Sequence, residues 1–123
     1  MSGINTVILV GHLGDDPELR ALRRGDRLAH FPLATEAQSV DPETGELRTR
    51  TEWHRVTCFG PAAERAADSL RKGLRVYLEG SLRTRPWTTA DGQARTTTEV
   101  VISQRGVLHL LDEQPQSTPA LSG

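Results

Sequence analysis

Arginine and large aromatic residues alternate with other residues in two stretches of this sequence, residues 51–60 and 82–88. Alternate residues of a β-strand face the same side, so each stretch would present one mixed face. The residues of these two faces are Trp53, Arg55, Phe59, Arg83, Arg85 and Trp87. Aromatic rings stack on bases, and a guanidinium group binds phosphate and also stacks. The pattern therefore predicts a surface that binds single-stranded nucleic acid.

The aromatic residues also have a purely structural interpretation, because tryptophan is highly buried on average. The arginines beside Trp53 and Trp87 favour stacking on a ligand over packing in the core. Phe59 ends its stretch just before Gly60 and Pro61, where it could instead cap the core. For Phe59, both interpretations stay open.

The net charge of −1 is unexpected for a nucleic-acid binder, in which a basic balance is usual. Basic residues are nevertheless concentrated in residues 47–98, which hold ten of the 15, with only five of the 16 acidic residues. All of the basic residues except Lys72 are arginine. Because local potential steers a polyanion more than total charge does, this segment is the expected binding region.

No motif for catalysis or metal binding is recognisable. The four histidines and Cys58 lack zinc-ligand spacing, and Gly11 and Gly14 lack the lysine and hydroxyl residue of a phosphate loop. Glu79 is the one acid expected to be buried, and we interpret it as a paired acid at a subunit interface rather than a base. We expect no catalytic residue, no metal and no cofactor.

The sequence favours a cytoplasmic location. Cys58 is the single cysteine, which excludes an internal disulfide and fits a reducing compartment. No apolar run approaches the ~20 residues of a membrane span, and the first residues lack a signal-peptide pattern. We expect a soluble protein with no membrane partner.

Turn motifs and alternation divide the chain into strands and one helix. Strands are predicted at residues 4–13 (buried), 18–22, 27–37, 74–85, 95–102 and 107–111, besides the stretch at 51–60, and a helix is predicted at 61–72. A folded domain over 1–111 and a short disordered tail over 112–123 are expected. The element order is that of an all-β OB-fold, a five-stranded Greek-key barrel with long hairpins and one short α-helix, and order alone does not distinguish this fold from other small barrels.

The chain resembles the bacterial single-stranded DNA-binding protein family in a series of motifs that run in family order over about residues 4–111. These are VILVGHLGDDPE at 7–18, LAT at 33–35, TGE at 44–46, TEWHRV at 51–56, LRKG at 70–73, VYLEG at 76–80, LRTRPW at 82–87 and TTEVV at 97–101. The resemblance implies an OB-fold, usually a homotetramer, that coats single-stranded DNA in replication, recombination and repair.

The resemblance also implies roles for individual residues. Trp53, Phe59 and Trp87 match positions on which bases stack, and Arg55, Arg83 and Arg85 match basic positions beside them. Looser basic matches are Arg48, Arg71 and Lys72. His54 and Tyr77 match positions near subunit contacts, where Glu79 is also expected.

The chain departs from the family at several aromatic positions, which are occupied here by Ala21, Ser39, Ser69 and Thr96. Each absent ring forfeits about 1–3 kcal/mol of stacking per base, so charge would carry more of the binding. Residues 112–123 also lack the acidic, hydrophobic tip through which the family recruits enzymes. An OB-fold accessory protein acting mainly through protein contacts in a replication or primosome assembly is the alternative function.

Overall fold

The computed structural model of the chain describes residues 3–22 and 25–111, and the tail expected at 112–123 lies outside them. Within these ranges the chain forms seven strands and one helix. Their bounds are β1 Val7–Leu13, β2 Glu18–Ala21, β3 Arg27–Val40, β4 Leu47–Phe59, α1 Pro61–Ser69, β5 Arg75–Thr88, β6 Ala94–Ile102 and β7 Val107–Leu110.

Five of the strands close into a barrel. Going round it, β1 pairs with β3, β3 with β4, β4 with β6, β6 with β5, and β5 with β1 again. Every pair is antiparallel except β4–β6, and β2 and β7 extend the sheet from β3 and β5. This arrangement confirms the predicted all-β OB-fold with its five-stranded barrel, long hairpins and one short helix.

The two long hairpins turn where the sequence predicts. At the β3–β4 tip, the carboxylate of Asp41 accepts the backbone N–H of Glu43 at 2.8 Å, and Gly45 has a φ of 76°. At the β5–β6 tip, Gly92 has a φ of 91°. These positive φ values favour glycine because it lacks a β-carbon.

The inward face of the strands and the apolar stripe of α1 form the core. Phe31, Leu33, Val56 and Leu78 are fully buried in the barrel. The helix packs against β3 and β4 through buried alanines and the following leucine, which are Ala62, Ala63, Ala66 and Leu70. The helical spacing of apolar residues predicts a stripe of Ala63, Ala66, Ala67 and Leu70; in the structure Ala62 is also buried and Ala67 is half-buried.

Cys58 is a core residue. Its thiol is fully buried, and burial raises its pKa to about 12, with Arg65 only partly opposing the shift. The thiol is therefore protonated and unreactive at neutral pH.

Two of the predicted boundaries are shifted because other groups form hydrogen bonds with the backbone atoms that a longer strand or helix would have used. β1 begins at Val7, and Asn5 instead bonds both the N–H and the carbonyl of Leu82 through its side-chain amide, at 2.8 Å each. The helix ends at Ser69, because Leu70 is extended and the N–H of Gly73 donates to the carbonyl of Leu13 at 2.9 Å.

The prediction of a buried first strand is wrong for its outer face. Gly11 and Leu13 are buried, whereas Ile8 and Val10 are exposed. A barrel strand buries only one of its two faces, so an apolar sequence on both faces leaves one of them in solvent.

Within a single chain, Glu79 is not the buried acid that the sequence predicts. Glu79 is half-buried on the outer face and accepts a hydrogen bond from the hydroxyl of Tyr77 two residues away. Among the described residues the buried acid is Glu99, whose exposed fraction is 2%. Glu99 also points outward by alternation, and it is buried because arginine side chains from β5 lie over it.

Candidate nucleic-acid interface

The two faces singled out in the sequence join into one surface because β6 lies between β4 and β5. β6 runs parallel to β4, with Thr57 opposite Val101, and antiparallel to β5, with Arg83 opposite Glu99. Outward residues of the three strands therefore share one side of the barrel. We call this surface the three-strand face, and its members are Trp53, Arg55, Thr57, Phe59, Arg83, Arg85, Trp87, Arg95, Thr97 and Glu99.

Trp53 is 63% exposed and its indole lies against Gly14. A β-carbon built on Gly14 would be 2.5 Å from Cζ3 and 2.9 Å from Cη2 of Trp53, and 3.4 Å from Cγ of Pro32. The two distances to Trp53 are too short for a real β-carbon, so the ring can occupy this place only because residue 14 is glycine. The backbone of residue 14 and Trp53 thus fit together, while much of the ring stays open to solvent.

Trp87 is 48% exposed and is held from the neighbouring strand. Its indole Nε1–H donates to Oγ1 of Thr97 on β6 at 2.8 Å. Both tryptophans predicted from the sequence therefore lie on the outside of the barrel rather than in its core, and each has a contact that fixes its ring.

Phe59 is half-buried and lies beneath an arginine. The guanidinium carbon of Arg83 is 5.7 Å from the centroid of the Phe59 ring, within the range of a cation–π contact. The planar guanidinium of Arg83 thus lies over the aromatic ring of Phe59, which supports it from the barrel side.

Glu99 lies among the arginines of the three-strand face. Its Oε1 accepts a hydrogen bond from the Thr57 hydroxyl at 2.8 Å, and its Oε2 accepts one from Nη2 of Arg83 at 3.3 Å. Oε2 also forms an ion pair with the Arg85 guanidinium, whose Nε is 2.9 Å away. Burial raises the pKa of this carboxyl, but the bond from Thr57 and the charges of Arg85 and Arg83 outweigh burial and hold the pKa below its ordinary value. The group is therefore ionised at neutral pH.

Arg55 differs from the other two arginines predicted for this face. It is exposed on β4 opposite Pro32, and it has no hydrogen bond or ion pair with any residue that the structure describes. Its guanidinium is thus open for a ligand. By contrast, Arg83 and Arg85 share one carboxylate.

The looser basic matches lie away from the three-strand face. Arg48 is near the tip of the β3–β4 hairpin, where its Nη2 pairs with a carboxylate oxygen of Asp41 at 2.7 Å. Arg71, just after α1, donates to the carbonyls of Ala67 and Leu70 at 2.9 and 2.6 Å.

Lys72 lies in the connection from α1 to β5. Its backbone N–H donates to a carboxylate oxygen of Asp16 at 2.8 Å. This contact links the connection to the segment after β1 that also contains Gly14, the neighbour of Trp53.

The residues expected at subunit contacts lie on two different strands. His54 shares a hydrogen bond of 2.9 Å with the hydroxyl of Thr35 on β3. Tyr77 stacks on His109 of β7 with ring centroids 6.5 Å apart. The hydrogen bond from Tyr77 to Glu79 raises the pKa of the phenol.

Arg95, Thr97, Glu99 and Gly14 also contribute to this surface, and none of them was predicted from the sequence. Residues 95–99 read RTTTE, so alternation alone could have placed Arg95, Thr97 and Glu99 on one face of a strand. It could not have shown that this strand lies between the two aromatic strands. For Gly14, only the position of the Trp53 ring reveals the need for glycine.

Within residues 3–22 and 25–111, no three or more histidine, cysteine or acidic side chains are grouped closely enough to hold a metal ion. In the same residues, no helix has the length and apolar composition needed to cross a membrane.

A small closed barrel that presents exposed tryptophans and arginines across adjacent strands defines an oligonucleotide-binding type of OB-fold protein. The chain matches the family model described as the Single-strand binding protein family over residues 4–108, and it belongs to that family. It is also similar to a solved structure described as "Plasmodium falciparum SSB complex with ssDNA". The two chains are 38% identical, the match covers 91% of this chain and 98% of that chain, and the TM-score is 0.84.

Proposed function

We propose that this protein binds single-stranded DNA without sequence preference and protects it during replication, recombination and repair, and that it is not an enzyme. The observation that carries the proposal is the position of Trp53 and Trp87, both exposed, on one face with four arginines. Membership of the single-strand binding family and the likeness to a chain in complex with single-stranded DNA support it.

In this proposal, bases stack on Trp53 and Trp87, and each stacked base contributes about 1–3 kcal/mol. Arg55 and the outer edges of Arg83 and Arg85 bind phosphates and release counterions. Phe59 acts through Arg83, which lies over its ring. A strand leaving this face would meet the peripheral basic residues, which are Arg48, Arg71 and Lys72.

We propose that the protein assembles as a homotetramer. Ile8 and Val10 are exposed on β1, where they lie opposite Glu79 and Tyr77 of β5. An apolar outer face of this kind is typical of a surface that a partner covers. This placement supports a role for Tyr77 and Glu79 in subunit contacts, and His54 is proposed for a second contact.

We further propose a cytoplasmic, nucleoid-associated location, because the ligand would be chromosomal single-stranded DNA and the lone Cys58 fits a reducing compartment. The alternative is an accessory protein that acts mainly through protein contacts. The exposure of both tryptophans favours the first function, since rings held in solvent next to arginines suit a nucleic acid.

The test is a tryptophan-fluorescence titration of the protein with oligothymidylate at low and high salt. We expect strong quenching that saturates at a defined oligonucleotide length. Trp53→Ala should weaken binding by about 1–3 kcal/mol at every salt concentration, because stacking is less sensitive to salt than ion pairing. Leu47→Ala, which shortens an exposed side chain in β4, is the matched control and should bind like the unaltered protein. Absence of binding at low salt would instead support the accessory-protein function.

A further inference from the structure

Glu99 is an acid in the middle of a surface proposed to bind a polyanion. Its carboxylate is 2% exposed, accepts hydrogen bonds from Thr57 on β4 and Arg83 on β5, and forms an ion pair with Arg85 on β5. If its only effect on binding came from its charge, this carboxylate would repel phosphate and weaken binding. Its burial and its full set of donors indicate a different role.

The two arginines keep donors for a ligand while they hold Glu99. A guanidinium has five N–H donors in a fixed plane. Arg85 uses Nε, and Arg83 uses one Nη, for the carboxylate. Both side chains remain about half-exposed, so their outer edges can bind phosphate at the same time.

The carboxylate also sets where these guanidinium groups lie. Long arginine side chains lose conformational freedom when they bind a ligand, and holding them in place beforehand reduces that loss. The same contact holds Arg83 over the ring of Phe59. Thr57 in turn fixes the other carboxylate oxygen, so residues of three strands determine one arrangement.

We propose that Glu99 is a positioning residue for single-stranded DNA binding, which orients Arg83 and Arg85 so that their outer edges and planes face the ligand. This inference rests on the proposed function. It gives Glu99 a favourable effect on binding despite the sign of its charge.

The decisive variant is Glu99→Gln, because charge and positioning predict opposite outcomes. Removal of a negative charge by itself should tighten the binding of a polyanion. Loss of the ionic hold on both arginines should weaken it, and we expect oligothymidylate to bind about tenfold more weakly at low salt. Glu52→Gln is the matched control, since Glu52 is exposed on β4 and lies outside the three-strand face; binding should be unchanged or slightly tighter.

A double-mutant cycle separates positioning from a general effect on the fold. In an Arg83→Ala, Arg85→Ala background, Glu99→Gln should no longer weaken binding, because the side chains through which Glu99 acts are gone. An undiminished loss in that background would mean that Glu99 acts through the fold, and it would overturn the proposal. Thermal unfolding of each variant shows which ones are folded.

If Glu99→Gln does not fold, Thr57→Val decides the question. This change removes the hydroxyl donor to Glu99 and leaves all charges in place, and it should weaken oligothymidylate binding by about threefold. Unchanged binding by a folded Thr57→Val, or equal or tighter binding by a folded Glu99→Gln, would refute the positioning role. Failure of the unaltered protein to bind oligothymidylate refutes the proposed function instead.

Discussion

The indole Nε1–H of Trp87 donates to Oγ1 of Thr97 at 2.8 Å, across the ladder that joins β5 to β6. Thr97 lies directly opposite Arg85, so the hydrogen bond runs diagonally from Trp87 to the neighbouring pair. It satisfies the only polar group of the indole and leaves about half of the side chain in solvent. An exposed ring is thus held in one orientation before any ligand arrives.

Thr97→Val removes the acceptor of this hydrogen bond while keeping the shape of the side chain. We expect binding of oligothymidylate to weaken by about 0.5–1.5 kcal/mol, since a freed ring must be ordered again in the complex. Steady-state fluorescence anisotropy, measured in a Trp53→Phe background, should show a more mobile Trp87. Thr98→Val is the matched control, because it removes a hydroxyl bonded to Thr84 on the opposite face. Equal effects of the two variants would contradict this role of Thr97.

Arg55 and Arg85 should respond differently to replacement by alanine. Either change should make the slope of binding against salt shallower by about 0.7, the value for one phosphate of a single strand. Arg85→Ala should also lower the free energy of unfolding, since it removes one of the two cations beside the buried Glu99. Arg55→Ala should leave that free energy unchanged, because no described residue pairs with Arg55. Salt titrations and urea denaturation measure the two effects, and equal stability of both variants would argue against the Glu99 network.

Gly14→Ala tests the fit between the backbone of residue 14 and Trp53. The new β-carbon would come within 2.5 Å of the indole, so the ring must move. We expect a shifted Trp53 emission maximum in a Trp87→Phe background and weaker binding of oligothymidylate. Gly3→Ala is the control, because a β-carbon there meets no atom within 4 Å. An unchanged emission maximum in Gly14→Ala would show that the ring does not depend on this contact.

Glu99 should make the free energy of unfolding decrease as the pH falls into the acid range. Its pKa in the folded protein lies below the ordinary value of 4.5, so the folded state binds its proton less readily than the unfolded state does. The stabilisation is therefore fully present at pH values above the ordinary pKa, which applies to the unfolded state. It is lost as the pH falls through the lower pKa of the folded state. Unfolding free energies between about pH 6 and pH 3 should fall more steeply for the unaltered protein than for Glu99→Gln. Glu52→Gln should lose stability at low pH as the unaltered protein does. If the unfolding free energy falls equally with pH in all three proteins, Glu99 is not the source of the pH dependence.

Local sequence patterns were enough to predict the strands, the helix and the candidate ligand-facing residues. Alternation is a local property, so the pairing of Trp53 with Arg55, and of Arg85 with Trp87, on common strand faces followed from the order of residues alone. The signals for the alanine stripe of α1 and for glycine at the hairpin tips are equally local, and the structure has alanines buried in α1 and glycines with positive φ at both tips.

Which strands become neighbours depends on long-range contacts that local patterns do not contain. The parallel β4–β6 pair closes the barrel between residues about 40 positions apart, and no local pattern specifies that contact. It brings β6 between the two aromatic strands and Thr57 beside Glu99, whose carboxylate is covered by Arg83 and Arg85 from across the β5–β6 hairpin. The same closure leaves Ile8 and Val10 in solvent. Burial depends on what covers a residue from elsewhere in the chain, and for that reason the sequence assigned it to Glu79 instead of Glu99.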